Sequence, residues 1–232
     1  METVICAAET SAATPAAISA TTHCMSLRAS APGPLASRPH RAWHSRGYLP
    51  HFDNGAVVQA ITFRLADSLP SAIYGRLIAE TADEADRRRK LDAMIDEGRG
   101  ACILRNDAYA IVVRTALEHF DGERYRLIAW VIMPNHVHVL IEQLEGFPLG
   151  DIVRGWKSFS AKEINKVRGL RDAVWAPDYH DRYIRDGRHL GDAVAYIENK
   201  PINARLVKQA RDWPYSSAAV TNAGVDARGP GN

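Results

Sequence analysis

The sequence predicts an α+β fold in which helices pack mainly on one face of a sheet with an antiparallel component. Short β-rich segments and longer amphipathic segments follow one another in the order strand, helices, strand, strand, helix, helix. Two of these strands are joined only by Pro134-Asn135. So short a link makes neighbouring strands antiparallel, because a parallel pair needs a long crossover.

The predicted strands are short segments rich in β-branched and aromatic residues. The first, at about 56–65, follows the turn signal Asn54-Gly55. The second covers 125–133 and the third 136–142.

The predicted helices carry apolar residues at helical spacing. Residues 72–97 are predicted to form one long helix or two, ending near Gly98. A loop that bears Trp175, Pro177 and Tyr179 is predicted to lead to the segment 181–186. The remaining predicted helices cover 106–120, 149–167 and 189–200, and a last one is opened by Pro201.

Composition and charge limit the class of protein. The chain has 232 residues and a hydrophobic content of 46%, which indicates a globular protein with one domain and a tail. The net charge of +2 does not indicate a polyanion partner, so any nucleic-acid site must rest on local clusters. The odd number of cysteines argues against a disulfide framework and favours the reducing cytoplasm.

The two ends of the chain differ from its middle. From 26 to 50 there are four arginines and no acidic residue, after a beginning rich in Ala, Ser and Thr. We therefore predict a disordered extension over 1–46, a folded domain over 47–218, and a flexible tail over 219–232. No apolar run approaches the eighteen or so residues that a membrane span requires, so neither membrane insertion nor Sec export is expected.

The segment 129–142 places two imidazoles among residues that favour burial. His136 and His138 are two positions apart on a predicted strand, so both side chains project from the same face. Imidazole nitrogens at this spacing can share one divalent ion. The alternative interpretation is a pair of partly buried strand histidines without a ligand.

A second cluster is basic. Residues 151–171 contain six basic and two acidic residues, and this local surplus could meet a phosphate backbone. The basic residues are Arg154, Lys157, Lys162, Lys166, Arg168 and Arg171.

Six segments over about residues 47–218 together resemble the REP-associated tyrosine transposases, a branch of the single-tyrosine HUH transposases that are also called IS200-like. Any one motif is weak, whereas their order and spacing make a chance match improbable. The segments are Thr62-Phe-Arg-Leu-Ala-Asp67, Met133-Pro-Asn-His-Val-His-Val-Leu140, Trp156-Lys-Ser-Phe159, Asp181-Arg-Tyr-Ile-Arg-Asp186, Tyr196-Ile-Glu-Asn-Lys-Pro201 and Trp213-Pro-Tyr-Ser-Ser217.

The resemblance implies a ferredoxin-like domain that cuts and rejoins single-stranded or hairpin DNA as a DNA transposase. It implies Tyr196 as the nucleophile of a 5′-phosphotyrosine intermediate, and His136 and His138 as ligands of Mg or Mn. The expected DNA contacts are Arg154, Lys157, Lys162 and Lys166 together with Lys200. The oligomeric state is left open between monomer and homodimer.

The sequence departs from the family pattern four residues after the tyrosine. Members of the family commonly have Asn there, whereas this chain has Lys200, and a charged lysine has no acceptor with which to ligate a cation. We expect Asn199 to serve as the third metal ligand, or Lys200 to contact phosphate instead. Two alternatives follow: a DNA-binding protein of the same fold with impaired catalysis, and a metal-dependent phosphodiester hydrolase.

Overall fold

One antiparallel sheet of four strands organises the part of the chain that carries the motifs. The computed structural model describes residues 43–45, 50–52 and 57–220, which lie within one compact unit at 38–232. The large sheet contains β3 (Val58–Arg64), β4 (Tyr125–Ile132), β5 (His136–Gln143) and β6 (His180–Tyr183). A separate two-stranded sheet pairs β1 (Trp43–Ser45) with β2 (Pro50–Phe52).

Six α-helices are described. The segment predicted as one long helix or two forms two, separated at Thr81. The helices are α1 (Ser71–Glu80), α2 (Glu84–Asp96), α3 (Asp107–Glu118), α4 (Leu149–Arg168), α5 (Gly187–Glu198) and α6 (Lys200–Asn203). Short 3-10 turns cover Ile103–Arg105 and Ala210–Asp212.

Polar caps and one glycine fix where the central helices begin and end. The side chain of Asn106 accepts a hydrogen bond from the Ala108 amide at the start of α3, and that of Asp186 accepts one from the His189 amide at the start of α5. Gly169, at φ +66°, ends α4 in the left-handed conformation that glycine adopts without steric cost.

The order of strands across the sheet is β4-β5-β3-β6, and every neighbouring pair is antiparallel. Helices α1 to α3 connect β3 to β4, and α4 connects β5 to β6. This order and these connections are those of a ferredoxin-like β-α-β-β-α-β unit. The predicted α+β class with an antiparallel sheet is therefore confirmed.

Strand β5 contributes to a hydrophobic core on each face of the sheet, because its side chains alternate between the two faces. Val137, Val139 and Ile141 belong to the larger core, which α3 and α4 cover. Leu140 belongs to a smaller core on the opposite face, where α5 packs through residues such as Ile197. The helices thus cover mainly one face, and α5 covers part of the other, which the histidines share with Leu140.

The fourth strand corrects the sequence prediction. His180–Tyr183 pairs with β3, although the family resemblance implied a loop at 181–186. The strand has only four residues and no alternation of apolar and polar side chains. Its conformation comes from main-chain pairing with β3, which a local pattern does not reveal.

Several predicted boundaries shift. Helix α5 ends at Glu198, so Lys200 lies in the short helix α6 and not on the helix of Tyr196. Strand β1 falls inside the segment predicted to be disordered. The rest of that extension before Trp43, and the tail from residue 221, lie outside the described residues. Over the residues that the structure does describe, none of the helices has both the length and the apolar character that crossing a bilayer demands.

Candidate active site

A pocket of about 670 Å³ opens on the sheet face that α5 partly covers. Its walls come from α2, β3, β5, β6 and α5, so elements distant in the chain converge there. Its lining includes the ionisable side chains of Asp92, Asp96, His138, Tyr196 and Lys200.

His136 is held in one tautomer by the residue before it. The amide nitrogen of Asn135 donates to the carbonyl oxygens of Ile95 and Arg99 at 3.0 and 3.1 Å, so its oxygen must face His136 Nδ1, 2.7 Å away. An amide oxygen only accepts hydrogen bonds, and Nδ1 therefore carries the proton. This leaves the lone pair on Nε2, the nitrogen that points into the site.

The ring of His138 is held in place by β3, through a hydroxyl that can donate or accept. Its Nδ1 lies 2.7 Å from the hydroxyl of Thr62, the residue opposite it in the sheet. Its ring lies 4.8 Å from that of His136, nearly perpendicular to it. Burial, followed by the charge of Lys200, lowers the pKa of His136 to about 3. Burial, followed by the neighbouring His136 and then Lys200, lowers the pKa of His138 well below its usual value. Both rings are neutral at physiological pH and have the lone pairs that a metal requires.

Asp96 joins the two histidines from α2. Ligand atoms of Asp96, His136 and His138 all lie within 4.8 Å of one another. Within residues 57–220, Asp96 Oδ1 and the two Nε2 atoms are buried without a hydrogen-bond partner. Asp96 Oδ1 and His136 Nε2 lie 3.4 Å apart without hydrogen-bond geometry. Three converging, unsatisfied ligand atoms of this kind fit a divalent cation.

Two polar contacts connect α2 to the segment of the tyrosine. The Tyr196 hydroxyl donates to Asp92 Oδ2 at 2.9 Å, and the Lys200 ammonium donates to Asp96 Oδ2 at 2.7 Å. Asp92 and Asp96 are one helical turn apart on α2, and Tyr196 and Lys200 are four residues apart in the chain. The two contacts are therefore in register, and each fixes a side chain of the pocket.

Tyr196 is positioned between the histidines and solvent. Its side chain is 44% exposed, and its ring lies 5.9 Å from that of His138 and 4.8 Å from the Lys200 ammonium. Burial raises the pKa of Tyr196, and the nearby carboxylate of Asp92 raises it further. Burial also raises the pKa of Asp92. The phenol is protonated at neutral pH, and a carboxylate oxygen already accepts its hydrogen bond.

Asn199, the third ligand predicted from the sequence, is not among the residues that line the pocket. Asn199 is exposed at the end of α5, and its amide nitrogen donates to the Ala195 carbonyl at 2.8 Å. Among the described His, Cys, Asp and Glu residues, Asp96 is the one grouped with the two histidines. Lys200 is 2% exposed and lies in the pocket against Asp96, so it is not a surface lysine.

The basic residues predicted to contact DNA on α4 lie on the other side of the sheet. Trp156 and Ile152 anchor α4 in the larger core, and its charged side chains do not line the pocket. Arg154 pairs with Asp151. Lys157 donates to the carbonyls of Ala176 and Pro177 at 2.7 and 2.8 Å. Lys162 and Lys166 are exposed, and Lys166 lies 3.9 Å from Glu163.

Sequence analysis missed both carboxylates of the pocket. Asp92 and Asp96 lie four residues apart in a segment read only as helical, next to a run of mixed charges at 83–90. Their spacing places them on one helix face beside the core residues Leu91 and Ile95. Acidic residues so close to an apolar stripe could have indicated a functional site. Only the packing of α2 shows that they lie near the histidines.

Comparison with protein families agrees with the motifs. Residues 103–200 match the family model described as "Transposase IS200 like". A REP-associated tyrosine transposase of Escherichia coli (strain K12) is 30% identical over 93 residues, which are 40% of this chain and 54% of that protein. The chain thus matches about half the length of this curated relative. The predicted resemblance to REP-associated tyrosine transposases is confirmed.

Comparison with solved structures agrees with the fold. A REP-associated tyrosine transposase bound to a REP hairpin superposes with a TM-score of 0.50 and 20% sequence identity. The match covers 78% of this chain and 84% of that one. At this identity the likeness concerns the fold alone.

Proposed function

We propose, from the match of residues 103–200 to the IS200-like transposase family, that this chain cuts and rejoins single-stranded or hairpin DNA as a DNA transposase. One observation carries the proposal. The hydroxyl-bearing ring of Tyr196 and the imidazole of His138, from separate elements, meet in one pocket at a ring distance of 5.9 Å. A nucleophile beside candidate metal ligands is the arrangement that phosphoryl transfer to an enzyme side chain requires.

In the proposed reaction, Tyr196 Oη attacks the scissile phosphorus. The bond from Oη to phosphorus forms as the bond from phosphorus to the 3′ oxygen breaks. The departing 3′ oxygen takes a proton from solvent, which leaves a 5′-phosphotyrosine and a free 3′ hydroxyl. Since the pKa of Tyr196 is raised, the attack needs a proton acceptor. Asp92 is proposed for this role, because its Oδ2 already accepts the phenol hydrogen bond. The phosphotyrosine link replaces the broken phosphodiester bond and retains its energy, so rejoining requires no ATP.

His136, His138 and Asp96 are proposed to hold the divalent cation. Two imidazole nitrogens and one carboxylate oxygen suit Mn, and Mg is the other cation that the family resemblance implies. When bound, such an ion supplies Lewis-acid polarisation of a phosphate oxygen. Lys200 is proposed to hold Asp96 through Oδ2, which leaves Oδ1 directed toward the imidazoles.

The covalent intermediate provides the test of this function. The chain is incubated with a labelled hairpin oligonucleotide that has a single-stranded extension, with Mn or Mg, and separated under denaturing conditions. We expect a labelled protein band that EDTA abolishes and added Mn restores. Cleavage without any protein-bound label would contradict the proposal, and so would an adduct that forms equally well in EDTA.

A second function is favoured by one specific observation. Lys200 replaces the Asn common in the family, and its buried ammonium pairs with a carboxylate of the site. A cation next to a metal site weakens binding of a second cation. A DNA-binding protein with impaired catalysis would accordingly shift the labelled hairpin in a gel without cutting it.

The proposed DNA substrate, like the odd cysteine number, fits the cytoplasm predicted from the sequence.

The third ligand can be identified directly. We expect Asp96→Asn to weaken Mn binding at least about tenfold, because it removes the only anionic ligand of the described group while the amide oxygen can still accept from Lys200. The measurement is isothermal titration of Mn into the metal-free protein. Asn199→Ala is the matched control and should bind Mn as the wild type does. If Asn199→Ala weakened binding and Asp96→Asn did not, the ligand predicted from the sequence would replace the one proposed here.

A further inference from the structure

We propose that the DNA strand reaches Tyr196 across a surface formed by Arg88, Arg182 and Arg185, and that these guanidinium groups bind its phosphates. We call these three residues the mouth arginines. The inference rests on the proposed function, since it names where the substrate of that reaction is held. It differs from the sequence prediction, which assigned DNA contacts to α4.

The sheet register directs Arg182 toward the pocket. Arg182 lies opposite Ala60 on β3, and two residues along β3 Thr62 lies opposite His138. Residues directly opposite in an antiparallel pair project from the same face, and so do residues two apart on one strand. Arg182 therefore shares the face of His138, and both line the pocket with Tyr196.

Arg88 approaches the same pocket from α2. It precedes Asp92 by four residues, so it occupies the helix face that carries the two carboxylates. It lines the pocket together with Arg182. A DNA strand that enters between α2 and β6 would meet a guanidinium group on each side before it reaches the phenol of Tyr196.

The mouth arginines are close enough to repel one another. The pKa of Arg182 is lowered, first by burial and then by the positive charges of Arg88 and Arg185. Within residues 57–220, neither Arg182 nor Arg185 forms an ion pair with a carboxylate. Both are exposed, so a polyanion can approach them. Phosphates bound there would relieve the repulsion and bring their own attraction.

Carboxylates lie beside the mouth arginines. Asp92 and Asp96 are hydrogen-bonded to Tyr196 and Lys200, and Asp92 is also within electrostatic range of Arg88. Asp181 and Asp192 also line the pocket, so the surface is mixed in charge and its preference for phosphate is local. Helix α5 begins at Gly187, two residues after Arg185, and the carboxylate of Asp186 already caps its N-terminus.

The basic residues of α4 are less available for DNA. Lys157 is occupied by carbonyl oxygens, and Arg154 and Arg168 pair with Asp151 and Asp172. They lie across the sheet from Tyr196, so a strand bound to them would not lead into the pocket.

The test measures binding separately from cleavage. A fluorescent hairpin oligonucleotide with a single-stranded extension is titrated with protein in EDTA, and anisotropy is followed from about 50 to 200 mM salt, the range over which phosphate contacts are lost. We expect Arg182→Gln with Arg185→Gln to weaken binding about tenfold at the lowest salt. The slope of log affinity against log salt should fall by about 1.4, which corresponds to two contacts with a single strand.

Two variants complete the design. Arg154→Gln with Lys166→Gln removes the same charge from the opposite face, and we expect wild-type affinity and slope. Arg182→Lys with Arg185→Lys keeps both charges and should keep most of the slope of log affinity against log salt. This variant separates the effect of lost charge from that of a folding defect. Thermal melts of all variants check the fold. The proposal is overturned if the α4 variant loses affinity and the Arg182→Gln, Arg185→Gln variant does not. It is also overturned if the Arg182→Gln, Arg185→Gln variant keeps the wild-type salt slope. A wild-type protein that binds no hairpin would instead overturn the proposed function.

Discussion

Tyr196→Phe abolishes the covalent DNA adduct, with a rate at least about a thousandfold below that of the wild type, because it removes the attacking oxygen itself. DNA binding persists, since the ring remains and only the hydroxyl that donates to Asp92 is lost. The measurement is the time course of labelled protein on a denaturing gel, with anisotropy on the same preparations.

Tyr183→Phe is the control for this prediction. Tyr183 lies on β6 and is 39% exposed, comparable to Tyr196 at 44%. We expect it to form adduct at the wild-type rate. If Tyr196→Phe still cleaved DNA, the histidines would be activating water, and the chain would be a metal-dependent hydrolase. Adduct at the wild-type level in Tyr196→Phe would mean that another residue is the nucleophile.

His138→Gln removes both metal binding and adduct formation, and His136→Gln does the same. Each substitution takes away a buried Nε2 that has no hydrogen-bond partner within residues 57–220. We expect Mn affinity to fall by more than the tenfold or so expected for Asp96→Asn, and adduct formation to be undetectable at Mn concentrations that saturate the wild type.

A thermal shift provides a second readout that does not depend on catalysis. A ligand that binds only the folded state raises Tm, so Mn should raise the Tm of the wild type and not that of the His136 or His138 variants. His189→Gln is the control, because His189 lines the same pocket but is outside the candidate metal group. An equal Tm increase in all variants would place the ion elsewhere.

Local patterns predicted most of the elements. The alternation at 136–142 predicted a strand with both imidazoles on one face, and the structure has them there, opposite the face of Val137 and Val139. The helical spacing of apolar residues at 189–200 predicted α5, whose inner face carries Leu190, Val194 and Ile197 and on which Tyr196 is half exposed. These predictions succeed because side-chain direction follows from the repeat of a single element.

Local patterns failed where a residue's role depends on another element. Strand β6 lacks an alternating pattern and forms only because β3 offers a partner. The sequence left open whether Lys200 contacts phosphate, and it could not reveal that Lys200 is buried against Asp96. The basic cluster on α4 was counted correctly, but counting does not tell which face of the sheet it occupies.

The sequence by itself determined the α+β class, the paired imidazoles on one strand face and the tyrosine on the late helix, because each follows from a local repeat or motif. Only the tertiary structure decided which carboxylates meet them. Asp92 and Asp96 reach Tyr196, Lys200 and His136 because α2 forms one wall of the pocket on the sheet face that α5 partly covers. That contact spans about a hundred residues of chain, and it depends on long-range packing that no short pattern encodes.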